Sequence, residues 1–121
     1  MGTWGVQPWG NDTAADWFDN FMETTKIRES VLATIEQDVE VDFADSLQEI
    51  RAATYVFTAL GRLYIWPVEH YDDDLKKIIG KAKEAREKTT EFQTEEISAL
   101  MDEEIAELES RLRRLRQNRG A

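Results

Sequence analysis

Apolar positions recur at helical spacing along most of the chain, with one short interruption. Trp17, Phe18 and Phe21 mark a first helix over about 13–24, entered at Thr13 with Asp16 three residues on in a capping-box-like arrangement. Ile27, Val31, Leu32 and Ile35 form the stripe of a second, over about 26–38. Val39, Val41 and Phe43 then alternate with Glu40 and Asp42, and with no second convincing strand to pair with, this short stretch reads as a connector.

A third helix is predicted from Asp45 to Trp66, with Asp42 or Asp45 as its cap and Pro67 as its stop. It is apolar on most sides, which predicts a central position. Thr54–Trp66 also suits a buried strand, and only the length of the surrounding pattern favours helix. Asp72, Asp73 and Asp74 open a fourth helix, where carboxylates suit the positive end of the dipole, and Leu75, Ile78, Ile79, Ala82 and Ala85 supply its buried stripe. Thr94 caps a fifth over 95–118, about 36 Å long against a radius of gyration near 14 Å for a domain of this size. The expectation is an all-α single-domain bundle of about five helices, with a glycine- and tryptophan-rich N-terminal segment packed on it.

Met101, Ile105, Leu108, Leu112 and Leu115 step by four and three along the fifth helix, a seam usable for helix pairing. In a parallel homodimer Glu104 would meet the partner's Glu109, and Arg111 its Arg116; both pairs repel. The seam therefore predicts an antiparallel homodimer contact or, with more in its favour, packing against the chain's own fourth helix, which leaves a monomer.

Composition narrows the function classes. The 121 residues include no cysteine, which excludes disulfides, thiolate metal sites and cysteine nucleophiles. No basic-then-apolar signal pattern opens the chain, and the most apolar run, Ala52–Trp66, would span only about 22 Å as a helix, short of a bilayer core. A cytoplasmic protein with no membrane contact is expected. The net charge of −10 is concentrated early: residues 1–75 carry fifteen acids against four bases. Such a field disfavours nucleic acid and favours basic protein partners, chiefly by raising encounter rates.

Three groups of polar residues are candidates for chemistry or docking. Glu36, Asp38, Glu40, Asp42 and Asp45 concentrate charge at one joint, which is costly unless a cap, a base or a partner balances it. With Asp72, Asp73 and Asp74 they form the predicted partner-binding surface. The only histidine, His70, borders the second acidic run, but successive helical residues face different ways, so chelation there is disfavoured. Glu84, Glu87, Glu104 and Glu107 form i, i+3 pairs on successive helices, the spacing of magnesium ligands in all-α nucleotide hydrolases. They lie among lysines and arginines, so no metal or other cofactor is expected, and the hydrolase is kept as a rival reading. A structural scaffold built on the fifth helix is a second rival.

The first seventeen residues hold three of the six glycines and three of the four tryptophans. Gly2, Gly5 and Gly10 permit tight turns, Trp4, Trp9 and Trp17 can close over the bundle, and Asn11 or Asp12 can cap the first helix. The same residues, with Asp16, could instead form a pocket or partner surface, a reading that exposed tryptophans would favour. The string Met1-Gly2-Thr3-Trp4-Gly5, followed by Pro8, Asn11-Asp12, Ala14 and Asp16-Trp17, resembles the opening signature of the bacterial DUF4259 family, and Trp9 matches the aromatic that follows its proline. The resemblance implies a helical bacterial protein and transfers no activity. At class level it is similar to the small acidic components of toxin-immunity systems, which implies a non-catalytic interaction domain, in its finest form an immunity-type inhibitor of a basic toxin domain.

Overall fold

Helix boundaries in this chain fall at a capping asparagine, a left-handed lysine, a glycine with no room for a Cβ, a proline and a capping threonine. A computed structural model describes residues 6–39, 44–88 and 94–120, apart from the side chains at 44–45 and 118–120. Its elements are α1 (Asp12–Thr25), α2 (Ile27–Ile35), α3 (Ala44–Leu60), α4 (Val68–Lys88) and α5 (Glu95–Gly120), and the protein is an all-α single-domain bundle. Among the described residues no strand forms; the one β-bridge joins Leu63 to Trp66 within a turn. Among the described residues no helix is long and apolar enough to cross a membrane.

Asn11, not Thr13, starts α1. Its backbone is extended (φ −157°, ψ 164°) and its side-chain oxygen accepts from the Ala14 amide at 2.8 Å, which leaves Asp12 in the first turn where the dipole favours it. Lys26, at φ 57°, ends α1 and begins α2 in a single left-handed residue. α2 stops at Ile35, three residues short of the expected boundary. Val39 is buried, and the rest of the alternating connector lies outside the described residues.

α3 ends at Leu60, six residues before Trp66. Gly61 follows directly, at a position with room only for glycine: a Cβ there would collide with the Phe57 carbonyl and stand 2.6 and 2.7 Å from its ring. The Gly61 amide returns to the Phe57 carbonyl, and Arg62–Trp66 fold into a turn in which Trp66 N–H donates to Arg62 O at 2.9 Å. The turn drops Trp66 into the core, fully buried and edge-on to Phe57 at 4.8 Å. α4 then begins at Val68, directly after Pro67, so the three aspartates fall in its second turn instead of opening it.

α4 is the central helix, contrary to the expectation for α3. It packs against α2, α3 and α5, and buries Tyr71, Leu75, Ile78, Ile79, Ala82 and Ala85. α3 turns Tyr55 outward, 73% exposed. The α5 seam is covered by the chain's own α4 in an antiparallel hairpin: Met101, Ile105, Leu108 and Leu115 are buried and Leu112 half-buried, with Arg86–Asp102 at 3.0 Å and Lys83–Glu109 at 2.7 Å along its flanks. Thr94 caps α5 as predicted, accepting from the Ile97 amide at 3.1 Å.

Candidate functional site

Asp12, Asp16, Asp19 and Glu23 stand at i, i+4, i+7 and i+11 of α1, a spacing that places all four on one face, and all four are exposed. Glu29 and Glu69 occupy the first turns of α2 and α4, positions that the helix dipoles favour. The bundle brings these three helix segments together around a cleft of about 300 Å³. Asp19, Glu23, Glu29 and Glu69 supply its charge, buried Met22 and Pro67 supply apolar wall, and His70 and Arg28 complete the lining.

Arg28 is the one arginine or lysine of the lining, and its charge is already committed. Its guanidinium donates twice to Asp74, Nε to Oδ2 at 2.6 Å and Nη2 to Oδ1 at 3.1 Å, while the Trp66 indole donates to Oδ2 at 2.8 Å. Asp74 is 1% exposed. Burying a carboxylate is tolerated only when its lone pairs are met, and here two side chains from opposite sides meet them. The hydrogen bond from Arg28 to Asp74 holds the guanidinium above its ordinary range against the cost of burial, and the charges of Asp74, Glu29 and Glu69 add to the effect. Among the described residues, none of Asp19, Glu23, Glu29 and Glu69 forms an ion pair. The cleft is therefore an uncompensated negative pocket.

The far flank of α1 carries aromatic surface. Trp17 does not close over the bundle as the sequence suggested: it is 59% exposed, stacked on Phe21 at 5.1 Å and edge-on to Phe18 at 5.3 Å. Trp9 is half-buried beneath the Arg62 guanidinium, 5.2 Å from its ring centroid, and Pro8 is exposed. Trp4 and Gly5 lie outside the described residues.

Of the predicted partner-binding residues, Glu36, Asp38 and Asp73 are exposed and Asp72 is half-buried beside Lys76 at 3.5 Å. Glu40, Asp42 and the side chain of Asp45 lie outside the described residues. Asp74 is a correction: it belongs to the core, because Arg28 and Trp66 draw it inward, and it offers nothing to a partner. The four glutamates of the hydrolase reading do not converge. Glu84 pairs with Lys81 and Lys88, Glu104 with Arg51 at 3.2 Å and Glu107 with Arg111 at 2.8 Å, while Glu87 is exposed. Among the described residues no group of three or more His, Asp or Glu is arranged to hold a metal ion.

Glu69 borders the polar run at His70 and Asp72–Asp74 that the sequence marks, whereas Asp19, Glu23 and Glu29 do not stand out from it. The signal available was the acidic stripe of α1, which has no lysine or arginine before Lys26 to balance it.

The family model for a domain of unknown function, DUF4259, matches residues 2–115. The chain belongs to the DUF4259 family. The match runs far beyond the opening seventeen residues and takes in every element that builds the cleft, so the acidic stripe, the Trp66 turn and Asp74 all fall within the DUF4259 domain. No curated protein and no solved structure matches the chain.

Proposed function

We propose that this DUF4259 protein is a non-catalytic interaction domain that takes a basic segment of another protein into the cleft between α1, α2 and the start of α4. The observation that carries the reading is the gathering of Asp19, Glu23, Glu29 and Glu69 around about 300 Å³ whose arginine is already bound to Asp74. A lysine or arginine entering the cleft would meet several carboxylates at once, with Met22 and Pro67 against its aliphatic stem. The net charge of the first 75 residues steers a basic partner toward this end, and exposed Trp17 offers an anchor on the other flank of the same helix.

The finer form of the proposal is an immunity-type inhibitor of a bacterial toxin, in which the cleft occludes a basic surface that the toxin needs. Affinity capture from the native cell and from its competitors tests both levels. A basic protein recovered by the wild type should be lost with the pair Asp19→Lys and Glu23→Lys and retained with Asp38→Lys. Equal recovery with all three chains would remove the proposal.

A further inference from the structure

At the other end of the Trp66 turn lies a second cavity, also of about 300 Å³, whose charge has the opposite sign. Arg62 from the turn and Arg111 and Arg114 from α5 line it, together with the rings of Trp9, Tyr64 and Tyr71, and among the described residues no carboxylate does. Convergence of three guanidinium groups is unexpected in a chain of net charge −10.

Two of the three cations are held in place. The Arg111 side chain is 6% exposed; its Nε donates to Glu107 at 2.8 Å and its Nη1 to the Gly61 carbonyl at 3.1 Å, while among the described residues Nη2 has no partner. Arg62 lies over Trp9 and, among the described residues, has no carboxylate partner. Arg114 is exposed and reaches Glu107 only at 3.7 Å. Three arginines against one glutamate leave about two positive charges. The same three raise the local potential enough to oppose the upward shift that burial imposes on the Tyr71 hydroxyl, Arg111 most and Arg114 least, and they help hold Glu107 below its ordinary value.

The aromatic side of the cavity is equally particular. Tyr64 sits at φ 75°, a backbone region that a tyrosine rarely adopts, and is 42% exposed. Such strain persists where surrounding structure enforces it, and it is concentrated at ligand sites. Here the strained residue contributes a partly exposed ring to the lining of an arginine-lined cavity.

We propose that this cavity binds a small organic phosphate carried on a flat ring, with the chemistry and size of a nucleoside monophosphate. Two excess guanidinium charges match a phosphomonoester, which carries about −1.5 to −2 at neutral pH, better than they match a singly charged carboxylate. Tyr64 and Trp9, the latter already carrying Arg62 on one face, put aromatic rings in the lining against which a base can pack. The volume is at the small end of ligand pockets, which suits one nucleotide and not an oligomer.

Isothermal titration calorimetry on the full chain at low salt tests this, with AMP, GMP, CMP and UMP as probes and inorganic phosphate and adenosine as controls. At least one monophosphate should bind about tenfold or more tightly than either control. Arg114→Gln, at an exposed position, should weaken that binding about tenfold, the loss of one charge-assisted contact, with an unchanged circular dichroism spectrum. Arg62→Gln should do the same. No heat from any monophosphate, phosphate binding as tight as the nucleotide, or unaltered affinity in both variants would each overturn the proposal. Because the two cavities share no lining residue, failure here leaves the acidic cleft untouched.

Discussion

The two cavities are similar in volume, lie on either side of the Trp66 turn and differ in the sign of their charge. In the cleft between α1, α2 and α4 the lone arginine is neutralised from below by a buried carboxylate, and the acids at the rim are left exposed. In the cavity between the turn and α5 the carboxylate, Glu107, stays outside the lining and three arginines remain within it. The difference teaches that a cavity's sign depends less on which charges border it than on where their partners are placed. One structural device serves both. Phe57, Trp66 and Tyr71 form a ring cluster in the core, with Tyr71 opening onto the arginine side and Asp74, beneath the Trp66 indole, holding Arg28 on the acidic side.

The largest effect is expected from breaking that shared wall. Asp74→Ala strands Arg28 and the Trp66 indole, and removal of one partner from a buried ion pair costs about 3–5 kcal/mol. Urea denaturation should register most of that loss, whereas Asp73→Ala, one residue away and exposed, should stay within about 0.5 kcal/mol of the wild type. A similar loss in both variants would mean that the aspartate run acts as surface charge. Trp66→Phe keeps an aromatic ring but removes the indole donor and part of its volume, so it should cost at least about 1–3 kcal/mol, the penalty of leaving a buried carboxylate short of one hydrogen bond, with the vacated space adding to it.

A smaller and pH-dependent effect is expected on the arginine side. The hydrogen bond from Arg111 holds the Glu107 carboxyl below its ordinary value of 4.5, with the charges of Arg111, Arg114 and Arg62 adding to it. A group whose native pKa is depressed stabilises the fold above its unfolded value and loses that contribution as pH falls through the native one. Glu107→Gln should therefore lower stability by under about 1 kcal/mol at neutral pH, since the side chain is 45% exposed, and the gap from the wild type should close in acid. A gap that widens as pH falls would show that Glu107 is not the partner of Arg111.

Most of the fold was legible because helical periodicity is a local property: Ile27, Val31 and Ile35, or Leu75, Ile78 and Ala82, declare a buried face without reference to anything distant. The family was legible from twelve positions near the start. The sites were less so, because charge placement is decided by tertiary partners. Asp74 is chemically identical to Asp73, and what makes it a core residue is an arginine 46 positions earlier and a tryptophan 8 positions earlier. The end of α3 was misplaced for a related reason. Pro67 is a strong local stop, but the chain leaves the helix at Leu60 and folds Arg62–Trp66 into a turn that buries Trp66, a tertiary outcome that local pattern does not reveal. Likewise Arg111 and Arg114 read as dipole-matched residues of an exposed helix, until the Arg62 turn is folded beside them.

If the acidic cleft is a docking site for basic side chains and not merely a solvated charge, it must bind them at one place and saturate. Titration of ¹⁵N-labelled protein with a short oligo-arginine peptide, followed by amide chemical shifts at low and raised salt, addresses it directly. Saturable shifts are expected, centred on Asp19, Glu23, Glu29 and Glu69, that weaken with salt and vanish in the Asp19→Lys, Glu23→Lys chain. Non-saturating shifts spread evenly over Glu36, Asp38, Asp73 and Glu95 as well would contradict it.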